Sequence, residues 1–214
     1  MSPKHMVFDK NAVLGAAIEV VRREGPESLS ARSVAKYLGS SVVPVYYSFR
    51  SMESLRLEVL ESARRLMAEK AAQPFTDIGF LNIGIGVVVF AREEEQLFRA
   101  LLLYKAGAQS ISSNFFDWAR VRMREDTMLR RLPDEALMRL WDSFWLYTMG
   151  LSMTIISGRG ADRTDENIVR LLKNTANTLI FAEIAGIADC ESPENAREWS
   201  RLLLEKKIIV PPES

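Results

Sequence analysis

The sequence predicts an all-α protein of nine or ten helices, with a three-helix unit over residues 1–52 and a larger helical unit over 53–214. Three observations predict it. Apolar residues recur at i, i+3, i+4 and i+7 in one segment after another. Those segments are bracketed by Asp or Ser caps and by Gly or Pro stops. No repeat, low-complexity tract or flexible linker interrupts them. At 214 residues, with 48% hydrophobic and 26% charged residues, the chain has the make-up of a globular protein with a substantial core rather than a disordered one.

The elements follow in order. Asp9 is placed to cap a first helix whose Leu14, Ala17, Ile18 and Val21 share a face, and Gly25-Pro26 ends it. Ser30 caps a short second helix with Val34, Ala35 and Leu38 inward, and Gly39 stops it. Residues 42–49, Val-Val-Pro-Val-Tyr-Tyr-Ser-Phe, have strand-like composition. Context favours a third short helix, capped by Ser41 with Pro44 in its first turn. Val45 and Phe49 then fall on one face, while Tyr46 and Tyr47 sweep round the other. Ser51 caps a long fourth helix to about Ala72, lined by Met52, Leu55, Val59, Leu60, Ala63, Leu66 and Met67.

Residues 75–92 are the most ambiguous. Ile83, Ile85, Val87 and Val89 alternate like a strand, and Gly79, Gly84 and Gly86 weaken a helix, but the setting favours helix. Further helices are predicted over 94–104 and 112–131. The segment 134–156 carries two apolar rows. One is Leu137, Leu140, Trp141, Phe144, Thr148, Leu151 and Ile155; the other is Met138, Trp145, Met149, Met153 and Ile156. A helix apolar on two sides is expected to be buried on both. The segment 165–184 follows with Ile168, Leu171, Leu172, Thr175, Leu179 and Ala182 inward, and a last helix is expected over 192–206.

Composition removes several classes of chemistry. Cys190 is the only cysteine and His5 the only histidine, which excludes a disulfide scaffold and a Cys-rich zinc site. A helical enzyme built on paired carboxylates has no Glu-x-x-His pair to draw on. No cofactor or metal is therefore expected. The longest apolar stretch, residues 78–91, is too short to span a bilayer and contains Asn82, and no leader-like segment opens the sequence. A cytoplasmic location and no membrane partner are the expectation. The 28 basic and 28 acidic residues cancel, but residues 1–50 hold seven basic and four acidic residues. A mildly basic N-terminal unit on a mildly acidic body suits a small polyanion-binding head.

The informative segment is 29–55. Two short helices are joined by a tight turn at Gly39, and the second is anchored by Val45 and Phe49. That is the pattern of a helix-turn-helix, whose second helix enters a DNA major groove. Residues Leu29, Ser30, Arg32, Ala35, Leu38-Gly39, Val45-Tyr46-Tyr47, Phe49, Ser51, Glu53 and Leu55 together resemble the TetR family of bacterial transcriptional repressors. The motif covers residues 9–60; beyond it only the number and length of helices agree.

The resemblance implies a homodimer that binds a palindromic operator and is released by a small-molecule effector held in the helical body. It also implies that 134–156 and 165–184 form a four-helix bundle with their symmetry mates. Candidate interface residues are Met138, Trp145, Met149, Met153, Ile168, Leu172, Thr175 and Leu179. Candidate DNA contacts are Ser30, Arg32, Ser41, Val42, Val43, Pro44, Tyr46, Tyr47, Ser48 and Arg50, with Lys4 and Lys10 as further phosphate contacts from the N-terminal arm. Each has a plainer reading as a cap, a packed ring or a solvated charge.

Two departures stand out. The family usually has Lys near the start of the fourth helix, where this chain has Met52, with Arg50 two residues earlier. The recognition helix begins Val42-Val43-Pro44, which suits thymine methyl groups and cannot make bidentate hydrogen bonds to guanine. Specificity is then expected from Arg32, Tyr46 and DNA shape.

The effector pocket is read from aromatic residues of the body: Phe80, Phe90, Phe98, Tyr104, Phe115, Phe116, Trp118, Trp141 and Trp145. Individually each suits a core; collectively they suggest an apolar or aromatic ligand. Asn82, Gln109, Asn114 and Asp117 are conceivable polar anchors. The competing reading is a dimeric helical interaction protein with weakened DNA binding.

Overall fold

Three of the predicted caps close as the sequence implies. Asp9 Oδ1 accepts the Ala12 N–H at 2.7 Å. Ser30 and Ser51 each form a reciprocal capping box, with Ser33 and Ser54 respectively. These three caps begin the first, second and fourth helices. The computed structural model describes residues 8–104, 116–127, 129–158, 163–184 and 201, and among them there is no strand.

The elements are α1 (Lys10–Glu24), a 3₁₀ turn (Pro26–Ser28), α2 (Ala31–Leu38), α3 (Val43–Ser48), α4 (Met52–Ala71), α5 (Gly79–Glu93), α6 (Glu95–Leu103) and α7 (116–125). A second 3₁₀ turn (Leu129–Arg131), α8 (Asp134–Ile156) and α9 (Asp165–Ile184) follow. The helix expected over 192–206 lies outside the described residues, apart from residue 201. Among the described residues no helix is long and apolar enough to cross a membrane.

The ambiguous segment is the axis of the molecule. Every residue from Phe80 to Ala91 is buried, with α4 on one side of α5 and α8 and α9 on the other. A helix enclosed all round needs apolar residues at every position, so the alternation of Ile83, Ile85, Val87 and Val89 marks no face. The glycines set how closely its neighbours approach. A Cβ on Gly84 would lie 2.6 Å from the Phe144 ring, and one on Gly86 would lie 2.3 Å from the Ala71 Cα. This helix starts at Gly79 rather than at residue 75. Asn82 holds the preceding loop, accepting from the Thr76 N–H and hydroxyl, both at 2.8 Å, and donating to the Thr76 carbonyl. Asn82 is thus a loop staple and its polar atoms are engaged there.

Other boundaries differ from expectation. The helix predicted over 112–131 is continuous only through residue 125 within the described residues. Asp126 then accepts the Leu129 N–H and caps a separate turn. Arg124 fixes the bend by donating to the carbonyls of Arg130 and Leu132 and pairing with Asp134. In α1 the buried set is Val13, Ala16, Ala17, Val20 and Val21, with Leu14 and Ile18 half-buried. The face is rotated from the predicted one because α1 packs on α2 and α3 as well as on α4 and α6. One core cluster runs from Val13 in α1 to Ala176 in α9.

Candidate nucleic-acid interface

The turn between α2 and α3 is built by Gly39, whose φ of 63° is left-handed. Ser40 N–H donates to the Ala35 carbonyl at 3.0 Å and Gly39 N–H to that of Lys36 at 3.1 Å. This nested pair is the glycine stop that lets the chain reverse within a few residues. Beyond it the structure corrects the sequence reading. Ser41 does not cap α3: Val42 occupies that position in helical conformation, and no side chain caps the helix. Ser41 is left exposed in the turn.

Val45 and Phe49 are buried, as predicted, and seat α3 against the core. Lys10 lies over the Phe49 ring at 5.2 Å while pairing with Glu58 at 2.6 Å. With one side so anchored, α3 turns the rest outward. Val43 is 68% exposed, Tyr46 56% and Tyr47 87%. Val42, Pro44 and Ser48 are half-buried. The plain alternative for the tyrosines, packing on neighbouring helices, is not what the structure has.

The charges divide sharply around this surface. On α1, Lys10 pairs with Glu58, Arg22 with Glu94 and Glu19, and Arg23 with Glu19. Arg32, Lys36 and Arg50 are exposed and pair with no acid among the described residues. Residues 28–52 contain these three cations and no Asp or Glu. Arg32 and Lys36 are one turn apart on α2, hence on one face. Sequence reasoning missed Lys36, although the acid-free run from 28 to 52 was the available signal. Ser30 is exposed, but its hydroxyl is engaged in the cap, accepting from the Ser33 N–H. Met52, at the position where the family pattern has Lys, is half-buried and packs on the core. Lys4 lies outside the described residues.

A second feature ties this head to the body. Arg22 donates to both oxygens of Glu94, at 2.7 and 2.9 Å, across the start of α6. Hydrogen bonding to Glu94 holds the Arg22 guanidinium above its ordinary pKa, against the opposing effect of burial. Any stability linked to that shift is complete below the ordinary arginine value and is lost only at still higher pH, so it is constant through the neutral range. Arg99 and Glu27 add a looser contact at 3.9 Å.

The aromatic residues of the body are distributed rather than gathered. Phe80, Phe90, Phe98 and Trp141 are buried, while Tyr104, Phe116, Trp118 and Trp145 are half-buried. Phe80 meets Phe144 edge-on at 5.5 Å, Trp141 meets Phe144 at 6.5 Å, and Trp141 stacks on Trp145 at 5.3 Å. Tyr104 lies instead beneath the Arg56 guanidinium at 5.0 Å. Asp117 is exposed. Phe115, Gln109 and Asn114 lie outside the described residues.

The two apolar rows of α8 also separate. Leu137, Leu140, Trp141, Phe144, Thr148 and Ile155 are buried, whereas Met138 and Met153 are exposed and Trp145, Met149 and Ile156 half-buried. The expected burial on both sides therefore does not occur within one chain. On α9, Thr175 and Leu179 are half-buried, but Ile168 and Leu172 are wholly enclosed by the chain's own core. They have no surface to offer a second copy, which removes them from the candidate interface. Leu146, in neither predicted row, is 73% exposed beside the outer one, and Phe181 and Ile184 are exposed on α9. The two helices are joined by Arg139, which donates to both oxygens of Glu183 at 3.1 and 2.8 Å. A scan against protein-family models and a search of curated proteins find no match to this chain.

Proposed function

We propose that this chain is a sequence-specific DNA-binding transcriptional regulator of the TetR type. In this reading it acts as a homodimer on a palindromic operator, as a repressor released by a small apolar or aromatic effector. One observation carries the reading. A six-residue helix, following a glycine-stopped helix across a tight turn, exposes Val43, Tyr46 and Tyr47 in a segment that holds three cations and no acid. Large apolar side chains held in water are explained by a partner that covers them. The uncompensated charge gives that partner the sign of a phosphate backbone. The outer row of α8, with Met138, Leu146 and Met153 exposed, supports a second copy of the chain, and the effector is what the resemblance to the family implies.

Selection from a random duplex pool tests the reading. The expected product is a palindrome whose half-sites are one or more helical turns apart, about 34–36 Å each. Affinity for it should fall with salt, and Arg32→Ala and Lys36→Ala should each make the log–log slope shallower by about 1 for every phosphate no longer neutralised. Failure to enrich any duplex, with only weak salt-sensitive binding, overturns the proposal. It would bring forward the dimeric interaction protein instead.

A further inference from the structure

The chemistry that α3 presents is unusually narrow. Its six residues are Val43, Pro44, Val45, Tyr46, Tyr47 and Ser48. They carry methyl groups, rings and hydroxyls, and none carries a side-chain amide, carboxylate, ammonium or guanidinium group. Guanine is read by Arg or Lys on O6 and N7, adenine by Asn or Gln on N6 and N7, and cytosine by a carboxylate on N4. Within α3 each of those partners is missing. The hydroxyls of Tyr46 and Tyr47 make single hydrogen bonds, which several base edges satisfy. The feature of the major groove that remains for an apolar side chain is the C5-methyl group of thymine.

Val43 is the residue placed to use it. It is the first residue of α3, and the N-terminal residues of a recognition helix face base edges. It is 68% exposed, with only methyl groups beyond its Cβ. The cations lie outside this helix, Arg32 and Lys36 on α2 and Arg50 after α3.

We propose that Val43 reads a pyrimidine C5-methyl group, so that the preferred duplex carries thymine opposite it. 5-Methylcytosine bears its methyl at the same place in the groove, and Val43 has no polar atom with which to sense the exocyclic group at C4. Cytosine methylation at that position therefore raises affinity, and unmethylated cytosine binds less tightly than thymine. The inference rests on the DNA-binding reading above.

The test uses the full-length protein and the duplex selected from the random pool. Each thymine is replaced in turn by 2′-deoxyuridine, which keeps the pairing edge and deletes only the methyl. Affinity is measured by fluorescence anisotropy at fixed salt. One thymine per half-site should weaken binding by about fourfold when its methyl is removed, the fold-change of one buried methylene-sized group. A C·G pair there should bind about fourfold better when the cytosine is 5-methylated, by the same burial. Val43→Ala, whose thermal midpoint should match the parent because the side chain is exposed, should lose affinity for the thymine duplex. It should show no further loss on the deoxyuridine duplex, because the two changes remove the same interaction. A selected duplex that tolerates deoxyuridine everywhere, or losses from Val43→Ala and deoxyuridine that simply add, overturns the methyl reading and leaves the regulator standing. A pool that yields no duplex overturns both.

Discussion

Gly39 carries the reversal between α2 and α3 on one backbone conformation, φ 63° and ψ 33°. A Cβ there would meet nothing within 4 Å, so the obstacle to another residue is conformational strain rather than collision. Gly39→Ala should therefore lower stability by about 1 kcal/mol, and Gly39→Asn should recover part of the loss. Chemical denaturation measures both. This position is legible in the sequence because a helix stop depends on neighbours three to five residues away. The Ser30 and Ser51 caps are legible for the same reason. Ser41 misleads because the chain already turns helically at Val42, which moves the start of α3 one residue out of the hydroxyl's reach. The outward Tyr46 and Tyr47 follow from the inward Val45 and Phe49. Lys36 could have been found from the acid-free run over 28–52, but whether a distant acid folds onto it depends on where acids lie in space.

Among the elements, α5 shows most plainly what a one-dimensional pattern leaves out. Its alternating apolar residues carry a false strand signal, and the helix emerges only from its setting. Gly86 is its tightest point: an added Cβ would lie 2.3 Å from the Ala71 Cα and 2.5 Å from the Lys70 carbonyl oxygen. Backbone atoms cannot swing aside, so Gly86→Ala should cost about 3 kcal/mol, at the upper end for overpacking. Gly15, in α1, has nothing within 4 Å of its Cβ position. Gly15→Ala should stabilise the protein by about 0.5–1 kcal/mol through helix propensity and reduced unfolded-state freedom. Opposite shifts in thermal midpoint for the same substitution would confirm that packing, and not the glycine itself, decides the sign. The break in the helix predicted to reach residue 131 has a similar origin. Arg124 binds the carbonyls of Arg130 and Leu132, a contact that no periodicity encodes.

At the scale of the whole molecule, the sequence carries the order of the helices and two apolar rows on α8, but not which row the chain covers by itself. That depends on which neighbour lies across each face. Ile168 and Leu172 lie in the inward row that the periodicity predicts for 165–184, and folding places them in the core rather than in the interface that the resemblance implies. Leu146 is the clearest probe of the uncovered side. Leu146→Glu leaves the packed row untouched and puts a charge on the outer one. Analytical ultracentrifugation should find the parent dimeric and this variant monomeric, with unchanged helix content by circular dichroism.

The crossing at Gly86 also has a mechanical meaning. It fastens the C-terminal end of α4, a helix about 30 Å long, backbone against backbone to the axis of the body. The opposite end of α4 adjoins α3 and supports α1. Leu55, Val59, Leu60, Ala63 and Met67 are buried along its length, so the helix is seated as one rigid piece from that crossing to the end that supports α1. The missing side chain of one buried glycine thus sets how closely the helix that supports α1 approaches the axis of the body.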